Sequence, residues 1–276
     1  MFPRFGHASV MLAVALAPAS AWAVDSWEIQ VYDGSANAPG VPGVELHVNT
    51  TPSGQKTAPP PELPPHAQTH FTLEPSFGVL PWWEIGAYLQ TTLRGDGAFD
   101  YAGSKLRSKF VMPPEWDPHW RLGVNFEISR LPESYDRNRW GTEMRPIIGW
   151  EDDRWIVMLN PILDTALAGP DSEEGPSFEP AFMAKVKIAG TVAVGVEYYA
   201  GFGPIAHFEG WEEQEHYLYE AADLLSIERV ELNAAIGEGL TPASNALVIK
   251  VILGYAWDKL APAPQTAASL VVQRRP

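Results

Sequence analysis

Hydrophobic and polar positions alternate along most of this sequence, and the alternation is clearest between residues 69 and 92. On the first arm Phe71 and Leu73 alternate with polar residues, and on the second arm Ile85 and Leu89 do the same. A period of two places alternate side chains on opposite faces of a β-strand. One face stays apolar for about ten residues, roughly the length that a tilted strand needs to cross a bilayer. The pattern therefore predicts transmembrane β-hairpins.

Similar spans recur along the chain and are joined alternately by tight polar corners and longer loops. The predicted strands cover residues 43–50, 68–80, 82–93, 99–112, 119–131, 139–150, 153–165, 177–189, 191–201, 214–225, 228–238 and 245–257. In outer-membrane barrels short turns face the periplasm and longer loops face outward. The chain thus predicts an all-β, transmembrane, antiparallel up-and-down β-barrel of about 12 strands, with both ends in the periplasm. If residues 24–34 form half of an extra pair, the alternative is a barrel of about 14 strands.

The two ends of the sequence are predicted to lie outside this barrel. Residues 1–23 contain the three parts of a secretory signal peptide, namely a basic Arg4, an apolar run from Val10 to Ala17 and a small-x-small cleavage site at Ala21 to Ala23. The remaining predicted divisions are an N-terminal periplasmic or lumenal segment at 24–42, the barrel at 43–257 and a disordered periplasmic tail at 258–276.

The composition agrees with export and argues against nucleic-acid binding. The sequence contains no cysteine, as expected for a chain that crosses an oxidising periplasm. Asp and Glu number 34 against 19 Lys and Arg. Because nucleic acids are polyanions, this excess of acidic residues disfavours them as partners.

A group of tryptophans lies at or beside the strand ends that are predicted to face the periplasm. These are Trp82, Trp83, Trp116, Trp120, Trp150, Trp155 and Trp257. The amphipathic indole ring prefers the depth of the lipid headgroups, so this group is predicted to form an aromatic girdle. The alternative is a soluble secreted β-protein that binds a ligand, but such a protein would bury its aromatic side chains in mid-strand.

If the apolar side chains face lipid, the alternate side chains must face the lumen. The predicted lumen-lining residues are Lys105, Arg107, Lys109, Arg121, Glu127, Glu143, Arg145, Glu179, Lys185, Glu197, Glu220 and Glu231. Acids and bases are nearly balanced and come from different strands. Either they pair and fill a closed structural barrel without flux, or they line a narrow hydrated path for polar solutes. The size of the barrel is compatible with both hypotheses.

No catalytic or metal-binding arrangement is recognisable in the sequence. A catalytic site needs a nucleophile, a base and an orienting group near one rim, whereas His47, His70, His119 and His216 are scattered. His66 and His70 are four residues apart, but at a loop-to-strand junction and not on a helix face, which makes a metal site there a weak hypothesis. We therefore expect a protein that is not an enzyme, with no cofactor and no metal.

Several stretches together resemble uncharacterised proteobacterial outer-membrane barrel proteins: THFTLEPSFGVLPWWEIGAYLQ, FDYAGSKLRSKFV, NPILDTALAGP, GPSFEPAFMAKVKI and EHYLYEA. More distantly they are similar to phenol-degradation-pathway outer-membrane proteins, which are grouped with hydrophobic-compound uptake channels. The resemblance spans residues 27–257 and implies the fold and the location more strongly than the substrate. Family uptake of hydrophobic compounds would imply a lateral exit or an N-terminal plug, for which only residues 24–42 are available.

We expect a monomeric channel or transporter-like protein for small solutes in the bacterial outer membrane. Its expected partners are outer-membrane lipid and lipopolysaccharide and, during biogenesis, the barrel-assembly machinery.

Overall fold

The computed structural model describes residues 24–227 and 229–257. The predicted signal peptide, 1–23, and the predicted tail, 258–276, lie outside the described residues. In the part of the chain that is described, no helix has the length and apolar character needed to cross a membrane.

The described residues form a single antiparallel sheet of strand segments. Their bounds are β1 Pro42–Ser53, β2 Gln68–Leu80, β3 Trp83–Leu93, β4 Phe99–Val111, β5 Trp120–Arg130, β6 Trp140–Glu151, β7 Trp155–Asn160, β8 Leu163–Ala168, β9 Ser177–Phe178, β10 Ala181–Ile188, β11 Val192–Gly201, β12 Glu215–Leu224, β13 Val230–Gly239 and β14 Leu247–Ala256. Consecutive segments pair with each other except at β7–β8 and β9–β10, where β7 pairs with β10 instead, and β1 pairs with β14. The sheet therefore closes on itself.

The closed sheet is a barrel of 12 strands with two extra segments, because two of its strands are each divided. β7 and β8 pair with successive parts of β6, and β10 and β9 continue the next strand position. Pro161 and Pro180 stand at the two breaks. Proline lacks the N–H that a strand donates to its neighbour, so it interrupts the ladder. The predicted fold and the predicted number of strands are confirmed.

The two faces of the wall differ as the alternation predicts. Leu89 is 48% exposed on the outer face, whereas its neighbour Gln90 is fully buried on the inner face. Phe126 and Asn125 show the same contrast on β5. Since a shift of one residue would exchange the faces, the register of these strands is fixed.

The prediction that Glu220 lines the lumen is wrong. On β12, Tyr217 and Tyr219 are buried on the inner face, whereas Leu218 and Glu220 are exposed on the outer face. The alternation predicts Glu220 among the inward positions, one residue out of phase with the strand as it forms. The large side chains of Tyr217 and Tyr219 occupy the lumen, so the residues that alternate with them, including Glu220, face outward.

Candidate functional site: a filled lumen

Residues 24–41 run through the interior of the barrel. Near the start of this segment, Trp27 is buried, and its indole N–H donates to the hydroxyl of Thr92 at 3.1 Å. The hydroxyl of Thr72 donates to the backbone carbonyl of Trp27 at 2.9 Å, and the ring of His70 lies 4.5 Å from the indole. These partners lie on the inner faces of β2 and β3. The segment is therefore enclosed by the wall.

Tyr32 and Asn37 hold the segment further along the lumen. The backbone N–H of Tyr32 donates to the side-chain oxygen of Asn160 at 2.7 Å, and the Asn160 amide donates back to the Tyr32 carbonyl at 3.1 Å. The backbone N–H of Asn37 donates to a carboxylate oxygen of Glu84 at 2.6 Å. Wall side chains thus satisfy the backbone groups of a segment that has no strand to pair with.

The centre of the lumen contains a first cluster of ion pairs around Lys105. Its ammonium group lies 2.5 Å from Asp25, 3.3 Å from Glu28 and 3.1 Å from Glu127. Asp25 and Glu28 belong to the N-terminal segment, whereas Lys105 and Glu127 belong to the wall. The ion pairs that neutralise the wall residue Lys105 therefore also hold the N-terminal segment in place.

Arg145 extends this cluster across the lumen. Its guanidinium makes two hydrogen bonds to Glu143, at 2.7 and 3.0 Å, and lies 3.5 Å from Glu28. It also lies over the ring of Tyr32, 4.4 Å from the ring centroid. Arg145 is 2% exposed, so removing either its charge or its partners would leave a buried ion unpaired.

Two further clusters pair other inward-facing bases of β4, β10 and β14. Arg107 lies 2.5 Å from Glu74 and 2.8 Å from Glu84, and Lys109 lies 3.0 Å from Glu84. Lys105, Arg107 and Lys109 form a basic ladder along β4, and the last two of these bases are paired with acids of β2 and β3.

On the opposite wall, Glu197 accepts from both Lys185 and Lys250. Lys185 also contacts Asp223 at 2.8 Å, and Lys250 donates to the Ile29 carbonyl of the N-terminal segment at 2.9 Å. This cluster repeats the arrangement around Lys105, in which a wall base binds both a wall acid and the segment.

Cavities remain at both ends of this filled layer. Two cavities of about 330 and about 270 Å³ adjoin residues 30–37 of the segment and the end of the wall that carries the tight turns. Both are lined by Glu45, Lys109 and Glu231. Each has room for several water molecules, which take up about 30 Å³ apiece in the liquid.

A smaller cavity of about 90 Å³ lies at the opposite end. Its acidic lining residues are Glu62, Asp136, Asp164, Asp171, Glu174, Glu179 and Glu209, and among its described lining residues Arg137 is the one base. Burial raises the pKa of Asp136 to about 6, and the carboxylates of Glu62 and Asp171 add to the shift. Burial, with Glu213 and Glu174 nearby, raises the pKa of Glu209 to about 7.

The structure distributes the predicted lumen-lining residues among these regions. The central ion-pair clusters contain Lys105, Arg107, Lys109, Glu127, Glu143, Arg145, Lys185 and Glu197. Arg121 lies near the turn-side rim and pairs with Glu151 at 3.1 Å, Glu231 lines the two larger cavities, and Glu179 lines the smaller one. Only Glu220, of this set, lies on the outer face.

The tryptophans of the predicted girdle all lie at the end with the tight turns. Trp82 and Trp116 are 42% and 74% exposed on the outer surface. Trp83 stacks on Phe110, and Trp120 meets Trp150 edge to face. Their immersion among lipid headgroups stays a prediction.

Sequence reasoning missed the partners that the N-terminal segment supplies. Asp25, Glu28 and Tyr32 lie outside the strand pattern, so no alternation assigned them to the lumen. The signal that was available is the pair of acids in a short segment next to a barrel with an inward-facing basic ladder.

No protein-family model matches this sequence, and no curated protein matches it. Among solved structures, the chain is similar to the COG4313 outer-membrane channel of Pseudomonas putida F1, with a TM-score of 0.57 and 10% identity over 83% of this chain and 100% of that chain. It is also similar to the KdgM porin, with a TM-score of 0.51 and 8% identity over 78% and 99% of the two chains. For the NanC porin the TM-score is 0.50, with 8% identity over 79% and 100%. At these identities the likeness concerns the fold, and the chain has the fold of bacterial outer-membrane channels.

Proposed function

We propose that this protein is an outer-membrane channel for small polar solutes, closed at rest by its N-terminal segment. The observation that carries the proposal is the layer of ion pairs between residues 24–41 and the wall. Cavities flank this layer on both sides, and the segment fills the space between them. Passage of a solute requires the segment to move.

The character of the interior favours polar solutes. The inner face carries charged and amide side chains, which stay hydrated once the segment leaves them. The distant resemblance to hydrophobic-compound uptake proteins receives no support from such a lining. The proposal is for a channel without enzymatic activity.

The outer surface supports placement in the outer membrane. Large apolar side chains are exposed around the barrel, among them Leu73, Leu89, Ile148 and Leu253 at 43–48%. These side chains need a hydrocarbon environment, which lipid and lipopolysaccharide provide. Insertion of such a barrel is the task of the barrel-assembly machinery.

The second candidate function is a closed structural barrel without flux. It is favoured by the burial of the central layer, where Lys105, Arg107 and Arg145 are 7%, 5% and 2% exposed. The two candidates differ in whether the segment can be released.

A conductance experiment distinguishes them. The Asp25→Asn/Glu28→Gln variant removes two carboxylates that hold the segment to Lys105, and the wall remains unchanged. In planar bilayers we expect infrequent openings from the wild-type protein and at least a tenfold higher open probability from the variant, because the closed state loses buried ion pairs.

The control is Asp33→Asn, which also neutralises a carboxylate of the same segment, although it removes one negative charge and not two. Asp33 is exposed, and its carboxylate accepts from the backbone of Ser35 within the segment. Its open probability should equal that of the wild type. A folded Asp25→Asn/Glu28→Gln variant that never conducts would leave the structural barrel as the function.

A further inference from the structure

Glu45, His47 and Glu74 converge on the inner face of the wall where β1 pairs with β2. Glu45 and Glu74 stand directly opposite each other in the register. His47 follows Glu45 by two residues and so points to the same face. Nε2 of His47 lies 3.4 Å from a carboxylate oxygen of Glu45 and 3.4 Å from one of Glu74. One nitrogen and two carboxylates thus surround a common point.

Two of the three side chains around this point, His47 and Glu74, are buried and have polar atoms that make no hydrogen bond. The side chains of His47 and Glu74 are 0% and 2% exposed. Neither ring nitrogen of His47 makes a hydrogen bond, and Oε2 of Glu74 makes none. Buried polar groups are normally paired, so each such group calls for an explanation, such as a bound ion.

We propose that Glu45, His47 and Glu74 bind a divalent transition-metal ion of the Zn²⁺ type. Ligand atoms about 2.0 Å from a tetrahedral ion lie about 3.3 Å from one another, and the two measured separations match this edge. The two distances of 3.4 Å from Nε2 of His47 are also long for direct hydrogen bonds from a protonated imidazole. A mixture of imidazole and carboxylate ligands suits Zn²⁺ better than Mg²⁺ or Ca²⁺, which prefer oxygen alone.

Neighbouring side chains orient the two carboxylates. Nε of Arg107 donates to Oε1 of Glu74 at 2.5 Å, which leaves Oε2 directed towards His47. The amide of Gln30, in the N-terminal segment, donates to Oε2 of Glu45 at 3.3 Å. Hydrogen bonds of this kind fix the geometry of metal ligands. The proposed site therefore lies where the segment meets the wall.

An ion can reach this point through the larger cavities. Glu45 and Glu74 line the cavity of about 330 Å³, and Glu45 also lines that of about 270 Å³. Gly254 separates Glu45 from Glu231 in the register. A Cβ at Gly254 would lie 3.2 Å from Cγ of Glu45 and 2.9 Å from Cβ of Glu231. The glycine thus lets a further carboxylate approach the entrance and attract a cation.

Zinc binding by the refolded protein tests the proposal. After dialysis against ZnCl₂, elemental mass spectrometry should count one Zn²⁺ per chain, and X-ray absorption should show mixed nitrogen and oxygen ligands. His47→Gln should weaken binding by about 100-fold or more, because it removes the one nitrogen ligand.

The matched control is His70→Gln. His70 is also buried with both ring nitrogens unpaired, but its ring lies against Trp27 and not between carboxylates. Zinc retained by His70→Gln and lost from His47→Gln supports the site. No zinc on the wild-type protein, or equal zinc on both variants, overturns it.

If His47→Gln does not fold, as judged by heat-modifiable migration on a gel, Glu45→Gln replaces it, because the Glu45 side chain is partly exposed. Unweakened zinc binding by this variant likewise overturns the proposal. Conductance is measured separately, without metal, so the channel proposal and the metal-site proposal are tested independently of each other.

Discussion

The centre of the lumen and the smaller cavity beside the long loops use the same residue types, but they differ in how far the charges are paired. In the centre, every base of the Lys105 and Arg145 clusters contacts at least one acid, and the side chains are almost completely buried. In the smaller cavity, acids outnumber bases, and the pKa values of Asp136 and Glu209 rise to about 6 and about 7. Charged groups that are buried away from water must be paired, whereas hydrated charged groups tolerate an excess of one sign. The barrel therefore combines a centre of paired, buried charges with an acidic mouth, which is the smaller cavity beside the long loops.

The largest expected effect is that of removing the basic ladder from the centre. Lys105→Gln/Arg107→Gln/Lys109→Gln should lower the free energy of unfolding by more than about 3–5 kcal/mol, the cost of breaking a single buried pair. The cause is the set of carboxylates left buried without partners. Urea unfolding in lipid vesicles, followed by tryptophan fluorescence, measures the change.

The control for the triple variant neutralises Arg130, Arg139 and Arg154, which are exposed. It makes the same change in net charge and should lose much less stability, since exposed pairs contribute about 0–1 kcal/mol each. A ladder variant as stable as this control, with altered ion selectivity, would show that the centre is hydrated.

A single substitution sharpens the comparison. Arg145→Gln should cost about 3–5 kcal/mol, because it leaves the buried Glu143 without its ion-pair partner and removes one of the two bases beside Glu28. Arg139→Gln should cost less than about 1 kcal/mol, because the side chains of Arg139 and Glu133 are 54% and 53% exposed. Equal losses in the same unfolding assay would contradict the difference between the two environments.

At the acidic mouth, the coupling between Arg137 and Asp171 should be intermediate. Arg137 donates to both oxygens of Asp171, at 2.8 and 2.7 Å, and the two side chains are 24% and 21% exposed. A double-mutant cycle with Arg137→Gln and Asp171→Asn should give about 1 kcal/mol. A coupling as large as that expected in the centre would mean that the mouth is dry too.

The smallest expected effect is a pH dependence of the mouth. In the Asp25→Asn/Glu28→Gln channel, cation selectivity should fall as the pH is lowered from about 8 to about 5, because Asp136 and Glu209 take up protons in this window. Reversal potentials under a salt gradient measure it.

Asp136 and Glu209 also make the free energy of unfolding depend on pH, but in the opposite direction to cation selectivity. Since their folded pKa values exceed the ordinary ones, the stabilisation they give is complete at acid pH and disappears as the pH rises through about 6 to 7. Asp136→Asn/Glu209→Gln should flatten both profiles. A selectivity profile that this variant leaves unchanged would locate the titrating groups elsewhere.

The strands and most of their faces could be predicted from the sequence, whereas the contents of the lumen could not. Alternation determines which side of a strand a residue occupies, and it correctly separated Leu89 from Gln90. It failed at Glu220, because the predicted phase of β12 is shifted by one residue and Tyr219 occupies the inner face.

The contacts of the N-terminal segment depend on where an irregular chain lies, and no periodicity encodes that position. Glu45 and His47 were readable as inward neighbours on β1, but the approach of Glu74 depends on the pairing register of β1 and β2. The untested positions of the girdle at the membrane surface remain predictions from the tryptophan pattern.

Glu220 also bears on the thickness of the bilayer that suits this barrel. It lies in the middle of β12 between the exposed apolar side chains of Val196 and Ile236 on the neighbouring strands. A carboxyl group at this depth draws water and headgroups inward and thins the lipid beside it. Thinning strains a thick bilayer more than a thin one, and bacterial outer membranes are thinner than average. Glu220→Leu should therefore move the lipid chain length of greatest stability upwards in a series of vesicles, and an unchanged optimum would show that the carboxyl group does not deform the bilayer.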